Sequence, residues 1–177
     1  MENNKLAVLI IDMQPSFISR LREGEKERTI PNQIKVIRMC GTEKVPIFVT
    51  ELEYWNNGRT IPEIMDEVSK NSASPVEPIS RQFSDAFDLT GLDSLLRNNG
   101  IGKLFLMGAY AEYCVLRTAE EAIGLGYQVI TSNDVIAGKR NHMTNNSVDW
   151  YEQNGICVRV SELENLEIFP KTETVPV

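Results

Sequence analysis

The segment spanning residues 103–123 constrains the fold more than any other part of the chain. Residues 104–107 form a short apolar run typical of a buried strand, and Gly108 interrupts it. Beyond residue 112 apolar side chains recur at the spacing of one face of an amphipathic helix, at Val115, Ala119, Ala122 and Ile123. A buried strand that leads directly into a helix is the repeating unit of parallel α/β proteins, so this segment predicts a parallel sheet covered by helices.

Cys114 lies in the first turn of that predicted helix. The unpaired N–H groups and the positive end of the helix dipole lower the pKa of a thiol in this position and make it a better nucleophile. The alternative is that Cys114 is a small buried apolar residue, which is what most cysteines are. Position alone leaves both interpretations open.

Strand and helix patterns alternate along the rest of the chain, with no internal repeat and no linker. In addition to residues 104–107, strands are predicted at residues 6–11, 46–50, 79–83, 127–131 and 157–160. Helices are predicted at 29–40, from 60, from 90 and at 141–154, and the charged segment 20–28 is predicted to be a solvated loop. The sequence therefore predicts one domain over residues 1–177, with a Rossmann-like, three-layer αβα, doubly wound and mostly parallel six-stranded sheet.

The charge balance restricts the classes of partner. The chain has 25 acidic and 18 basic residues, a formal net charge of −7 and no Lys/Arg cluster, which argues against nucleic acid or an anionic membrane. The longest apolar run, residues 6–11, is strand-sized, so neither a signal peptide nor a membrane span is expected. Cys40, Cys114 and Cys157 have no C-x-x-C spacing and indicate free thiols in a reducing, cytoplasmic compartment. His142 is the single histidine, which excludes a metal triad of histidines.

Three polar residues are predicted to meet at the carboxyl edge of the sheet. Asp12 follows the first strand, Arg81 stands before the third helix, and Cys114 follows the central strand. A carboxylate beside a thiol can accept its proton, and a cation beside both keeps the pair ionised. The alternative for Asp12 is a cap of a helix or turn. The first strand is not followed by G-x-G-x-x-G or by another phosphate loop, which argues against a dinucleotide-binding or flavodoxin-like domain.

The order and content of these motifs resemble the isochorismatase-like cysteine hydrolases, a family that includes nicotinamidases and N-carbamoyl amidohydrolases. Its opening signature, D-x-Q-x-x-F after an apolar strand, is met by Asp12, Gln14 and Phe17. Its K-x-x-x-S-A-F element is met loosely by residues 81–87. Its G-x-x-T-x-x-C-V-x-x-T-A signature, the most specific of the three, is met by Gly108, Cys114, Val115, Thr118 and Ala119.

The resemblance implies a site and an activity. Asp12 would be the general base, Cys114 the nucleophile, and the backbone N–H groups of Tyr110 and Cys114 the oxyanion hole. A cis peptide would join Ala109 to Tyr110. The expected reaction is hydrolysis of a small amide, carbamoyl or ureide C–N bond through a thioester on Cys114. The substrate would be a small molecule, and the protein a homo-oligomer, either a dimer or a tetramer.

Two departures from the family pattern support a different hypothesis. Arg81 stands where relatives usually have lysine, and Ala111 where they usually have threonine. A family member that has lost catalysis and acts as a binding or scaffold protein is therefore the alternative function. Residues 51–53 read Glu-Leu-Glu where metal-dependent nicotinamidases have histidines, so neither a metal nor another cofactor is expected.

Aromatic residues provide candidates for the wall of a substrate pocket. Phe17, Trp55, Phe83 and Tyr113 are the predicted lining, although scattered aromatics more often belong to the core. His142 is predicted to cap or pack at the start of the helix 141–154 rather than to take part in catalysis.

Overall fold

The computed structural model describes residues 4–54 and 56–162, in which strands and helices alternate. The strands are β1 (Lys5–Ile11), β2 (Ile47–Leu52), β3 (Ile79–Arg81), β4 (Ile101–Ala109), β5 (Gln128–Ala137) and β6 (Ile156–Cys157). The helices are α1 (Pro15–Ile18), α2 (Glu25–Glu43), α3 (Pro62–Asn71), α4 (Leu92–Asn98), α5 (Cys114–Gly124) and α6 (Asn141–Asn154), and a 3₁₀ turn covers Val160–Glu162.

The six strands form one parallel sheet in the order β3-β2-β1-β4-β5-β6. The chain therefore builds outward from β1 to β3, returns to the centre at β4 and builds outward in the other direction. The apolar runs of β1 and β4 are almost completely buried, as expected for central strands with helices on both faces. This arrangement confirms the predicted doubly wound α/β fold, and it makes the carboxyl ends of β1 and β4 the point at which the strand order reverses.

Gly108 allows β4 to approach β1 closely at this point. It pairs with Ile11 across the two strands and has a φ of 139°, which side chains rarely adopt. A Cβ atom on Gly108 would lie 2.0 Å from the carbonyl oxygen of Ile11, so only glycine fits. Asp12 follows Ile11 with a φ of 52°, a left-handed conformation that aspartate tolerates better than most residues. The backbone of both strands thus turns sharply at the place where the candidate site residues begin.

Two predicted boundaries were wrong for a common reason. Helix α2 begins at Glu25 rather than at residue 29, and the prediction that residues 20–28 form a solvated loop holds only for the first part of that segment. Glu25 is buried and pairs with Arg22 and Arg28 at 3.0 and 2.9 Å, and Thr29 donates a hydrogen bond to the Glu25 carbonyl instead of capping a helix. Strand β5 extends to Ala137 through an irregular stretch that includes Asp134, rather than ending at residue 131. In both places a charged side chain binds a partner that is distant in the sequence, Gly138 for Glu25 and Val160 for Asp134, and the element continues.

Within the described ranges, no helix has both the length and the apolar character needed to cross a bilayer.

Candidate active site

Asp12 and Arg81 form a buried ion pair at the carboxyl edge of the sheet. Asp12 follows β1 and Arg81 is the last residue of β3, and the side chains of both are fully inaccessible to solvent. Because β2 lies between these two strands, the long arginine side chain reaches across the end of β2. One guanidinium nitrogen, Nη2, donates to Asp12 Oδ2, and Nη1 donates to the carbonyl oxygen of Phe83. The sequence prediction that Arg81 and Asp12 meet at this edge agrees with the geometry.

The Cys114 thiol lies against this ion pair. Cys114 is the first residue of α5 and is 4% exposed. Burial, followed by the negative charge of Asp12, raises the pKa of the Cys114 thiol to about 12, and Arg81 only partly opposes that rise. The expectation of a lowered pKa at the helix N-terminus was therefore wrong, because desolvation of the thiolate and the charge of Asp12 raise the pKa instead. The resting cysteine is a thiol and needs a base in contact with it.

Asp12 has the properties of such a base. Burial raises the pKa of the Asp12 carboxyl above its ordinary value of 3.8, and the charge of Arg81 together with the Cys114 thiol acts in the opposite direction. Its second oxygen, Oδ1, is buried and has no regular hydrogen-bond partner among the described residues. A buried carboxylate with one oxygen held by arginine and the other unpaired can accept a proton from a neighbouring donor.

Residues 110–113 connect β4 to α5, and we call this connection the oxyanion turn. Its first peptide bond, Ala109–Tyr110, is cis, as the resemblance implied. The N–H groups of Ala111 and Tyr113 donate to Ala137 O at 2.8 Å and to Tyr110 O at 3.0 Å. No backbone carbonyl in the described ranges accepts from the N–H of Tyr110, and Cys114, as the first helical residue, has no partner within α5 for its own N–H. The N–H groups of Tyr110 and Cys114, at the two ends of the turn, thus remain available as donors.

The predicted pocket aromatics are distributed around this turn. Phe17 is half-buried and packs edge-on against Tyr110, with ring centroids 5.3 Å apart, and Tyr110 donates a hydrogen bond to Phe17 O at 3.1 Å. Tyr113 lies edge-on to Tyr110 at 6.5 Å and is 41% exposed. Phe83, which is 47% exposed, approaches the site through its carbonyl oxygen rather than its ring. The predicted lining residue Trp55 lies outside the described residues.

Sequence reasoning missed the buried carboxylate of Glu112. This residue belongs to the oxyanion turn and accepts hydrogen bonds from the backbone N–H groups of Lys139 and Arg140 at 2.7 and 2.9 Å. A charged residue between two tyrosines carries no periodicity that would distinguish a buried position from an exposed one. Gln14, in contrast, belongs to the D-x-Q signature, and its side chain holds both backbone groups of Leu52 and the carbonyl of Gly58.

The acidic residues at the end of β2 have protein partners. Glu51 accepts hydrogen bonds from the Thr60 N–H and hydroxyl groups at 2.7 and 2.8 Å and pairs with Arg59 at 3.2 Å. Glu53 accepts a hydrogen bond from the Ser80 hydroxyl at 2.8 Å. Among the described residues no group of three His, Cys, Asp or Glu side chains is placed to hold a metal ion.

The cavity of about 900 Å³ next to β2 is not part of this site. Its lining includes Cys40, Pro46, Ile47, Ile79 and Leu95, which places it at the amino ends of β2 and β3. Asp12 and Cys114 lie at the opposite edge of the sheet and are 0% and 4% exposed.

Residues 6–162 match the Isochorismatase domain family. The chain belongs to the isochorismatase family. Its similarity to Nicotinamidase 3 of Arabidopsis thaliana is 29% identity over 153 residues, covering 76% of this chain and 75% of the relative. It is 38% identical over 140 residues to the streptothricin hydrolase of Streptomyces noursei, covering 74% of this chain and 49% of that protein. The crystal structure of N-carbamoylsarcosine amidase from Thermoplasma acidophilum matches with a TM-score of 0.75 and 26% identity, covering 90% of this chain and 99% of the other. Membership of the isochorismatase family agrees with the motifs around Asp12 and Cys114.

Proposed function

We propose that the protein is a cysteine hydrolase that cleaves the C–N bond of a small amide, carbamoyl or ureide substrate through a thioester on Cys114. The observation that carries this proposal is the buried contact among Asp12, Arg81 and Cys114. A nucleophile, a base and a counter-ion that are all withdrawn from water form a costly arrangement for structure alone, since burying charge opposes folding. By their names, the nicotinamidase and the N-carbamoylsarcosine amidase act on amide bonds, and the third relative hydrolyses streptothricin.

The residues account for a complete reaction. As Sγ of Cys114 attacks the carbonyl carbon, its proton passes to Asp12, and the N–H groups of Tyr110 and Cys114 stabilise the developing oxyanion. Asp12 then gives this proton to the leaving nitrogen, and the C–N bond breaks to leave an acyl thioester. Water attacks the thioester with Asp12 as base, which releases the acid and restores the thiol.

Arg81 serves this proposal in place of the usual lysine. Its guanidinium is permanently charged, so it stabilises the Asp12 carboxylate at any working pH but cannot donate a proton. It also fills more space than lysine beside the nucleophile, and Cys114 is only 4% exposed. The bulk of Arg81 and the burial of Cys114 both favour a small substrate.

The replacement of threonine by alanine at position 111 does not leave the oxyanion turn unsupported. The Ala111 N–H donates to Ala137 O at 2.8 Å, and the Tyr151 hydroxyl donates to Ala111 O at 3.2 Å. The backbone of this position is therefore held from two sides without a side-chain hydroxyl, which weakens the argument for a family member that has lost catalysis.

The reaction is tested by release of ammonia from a panel of small amides and ureides. Cys114→Ala, which lacks only the thiol, is the blank. We expect the wild-type protein to release ammonia from at least one compound and to accumulate an acyl adduct on Cys114 that mass spectrometry detects after acid quench. Ammonia release equal to that of the blank across the panel would contradict the hydrolase and favour the binding or scaffold protein.

The location and assembly of the protein are part of the same proposal. Free cysteines at positions 40, 114 and 157 fit a reducing cytoplasm. The homo-oligomer, a dimer or a tetramer, stays a prediction that light scattering on the purified protein checks.

A further inference from the structure

We infer that Glu112 is a positioning residue for the oxyanion hole, acting through the backbone of the oxyanion turn rather than on the substrate. This inference rests on the proposed function, because it concerns how the two N–H donors of that site are held. Glu112 is 6% exposed although it stands in a connection at the edge of the sheet. A carboxylate is buried at such a position only when its oxygens are well satisfied.

The carboxylate of Glu112 joins the oxyanion turn to residues 138–140, the β5–α6 turn. Its Oε1 atom accepts hydrogen bonds from the N–H groups of Lys139 and Arg140 at 2.7 and 2.9 Å. Its Oε2 atom lies 3.2 Å from the Thr144 hydroxyl, in the first turns of α6. A negative charge just before a helix is favoured by the helix dipole, and hydrogen bonds to a carboxylate are stronger than neutral ones. Glu112 is therefore a strong link between the two turns.

The oxyanion turn has two further bonds to the same part of the fold. Ala111 donates to Ala137 at the end of β5 and accepts from Tyr151 on α6. These bonds of residues 111 and 112 all point toward β5 and α6. The proposed oxyanion donors, Tyr110 N–H and Cys114 N–H, stand on either side of this anchored pair. Loss of the Glu112 link would release one of the two anchors and let the donors move relative to Sγ, and a displacement of about 1 Å can cost on the order of a hundredfold in rate.

The β5–α6 turn provides a matched control. Glu25, on α2, is another buried carboxylate, 7% exposed, and its Oε2 accepts from the Gly138 N–H at 2.9 Å. It holds the same turn from a different side and contacts no residue of the oxyanion turn in the hydrogen bonds and ion pairs of the described residues. Glu25→Ala thus removes a buried carboxylate from the β5–α6 turn and leaves the anchors of the oxyanion turn in place.

The experiment separates the oxyanion donors from the nucleophile. Iodoacetamide alkylates the Cys114 sulfur by displacing iodide, and no charge develops on a carbonyl oxygen, so its rate reports the thiol. Propionaldehyde instead forms a thiohemiacetal, in which the S–C bond forms, the carbonyl π bond breaks and the thiol proton ends on the new oxygen. That oxygen occupies the position of the oxyanion. Because the thiohemiacetal blocks the sulfur, the aldehyde concentration that halves the alkylation rate measures how strongly the N–H donors stabilise this oxygen. The measurement does not require a known substrate.

We expect Glu112→Ala to raise this aldehyde concentration about tenfold or more while the alkylation rate itself stays within about twofold. On any amide that the wild type hydrolyses, kcat should fall by a factor on the order of a hundred with little change in KM. Glu112→Gln keeps an oxygen that accepts the two N–H bonds and should recover most of the loss. Glu25→Ala should behave as the wild type in both assays. If Glu112→Ala does not fold, Glu112→Asp, shorter by one methylene, should show a smaller loss of the same kind.

Several results would overturn the inference. Unchanged aldehyde affinity in the Glu112 variants would do so, as would a parallel loss of alkylation and aldehyde affinity, or an equal effect of Glu25→Ala. A wild-type Cys114 that reacts with neither reagent would also overturn it. If the wild type binds aldehyde but hydrolyses no amide, the proposed function fails while the role of Glu112 is still measured.

Discussion

Replacing Arg81 by methionine should destabilise the protein in a manner that depends on pH. The substitution keeps most of the side-chain volume and removes the charge that Asp12 meets in a site where both side chains are 0% exposed. Breaking a buried ion pair by removing one partner costs about 3–5 kcal/mol when the remaining charge stays ionised. Asp12 can escape this cost by binding a proton in the folded state.

The free energy of protonating Asp12 on folding sets the size of the stability loss in Arg81→Met. An unfolded aspartate with the ordinary pKa of 3.8 is ionised at pH 7, so protonating it on folding costs about 4 kcal/mol, and only about 1.5 kcal/mol at pH 5. The folded-state pKa of Asp12 in the variant lies above its unfolded value. Stability is therefore retained at low pH and lost as pH rises from about 4 toward the new folded pKa. We expect Arg81→Met to lose about 3–4 kcal/mol at pH 7 and no more than about 1.5 kcal/mol at pH 5 relative to the wild type.

Urea unfolding at pH 5 and pH 7 measures this difference. Arg38→Met is the matched control, because Arg38 pairs with Glu67 at 2.9 Å on the surface, with 63% of the Arg38 side chain exposed. The control should have a small effect that is nearly the same at both pH values. Arg81→Lys, which keeps the charge, should be far milder than Arg81→Met and should retain turnover, with a broader range of substrates because lysine is less bulky.

The substitution Arg81→Met should also slow the acylation of Cys114. Without the charge of Arg81, burial raises the pKa of the Asp12 carboxyl further and favours its protonated form, which cannot accept the thiol proton. Turnover at pH 7 should therefore fall by a factor on the order of a hundred and recover partly as pH rises. An Arg81→Met protein with the wild-type rate, or one whose loss of stability is equal at pH 5 and pH 7, would refute the reasoning and leave Arg81 outside the site.

Three further predictions concern the nucleophile, the base and the strand contact behind them. Cys114 should react with iodoacetamide much faster than Cys40, whose pKa burial raises to about 12 without a neighbouring base; equal rates in peptide mass spectra would count against the nucleophile. Asp12→Asn should abolish turnover while circular dichroism still reports a folded protein, and undiminished ammonia release would remove Asp12 from the mechanism. Gly108→Ala should lower the melting temperature severely or prevent folding, because its Cβ would lie 2.0 Å from a β1 carbonyl oxygen, whereas Gly124→Ala meets no atom within 4 Å and should be neutral or slightly stabilising. Similar melting temperatures for both glycine variants would refute the claimed contact.

The fold could be predicted from the sequence because its signals are local and repeated. The bounds of α6 were predicted as residues 141–154, which is where the helix lies, and the apolar runs of β1 and β4 identified the central strands. The boundaries of α2 and β5 could not be predicted, since they depend on where Glu25 and Asp134 find partners. Such partners lie far away in the sequence and leave no periodic trace.

The composition of the site was easier to predict than its electrostatics. Asp12, Arg81 and Cys114 each follow or end a strand, and parallel topology brings such positions to one edge. The raised pKa of Cys114 could not be predicted, because helix position is visible in a sequence whereas depth of burial is not. Glu112 was missed for the same reason, since its burial follows from the loop that covers it.

The order of strands in the sheet has a consequence for biosynthesis. β1 is made first but occupies the centre of the sheet, and one of its two neighbours, β4, is made only after residue 100. Until β4 pairs with β1, a nascent chain has no α5 behind Asp12 and no thiol beside it. Contacts between segments so far apart in sequence are formed slowly. The ion pair and the nucleophile can therefore come together only after β4 and α5 have been synthesised, and a chain that stalls before β4 leaves the apolar edge of β1 on that side without its neighbouring strand.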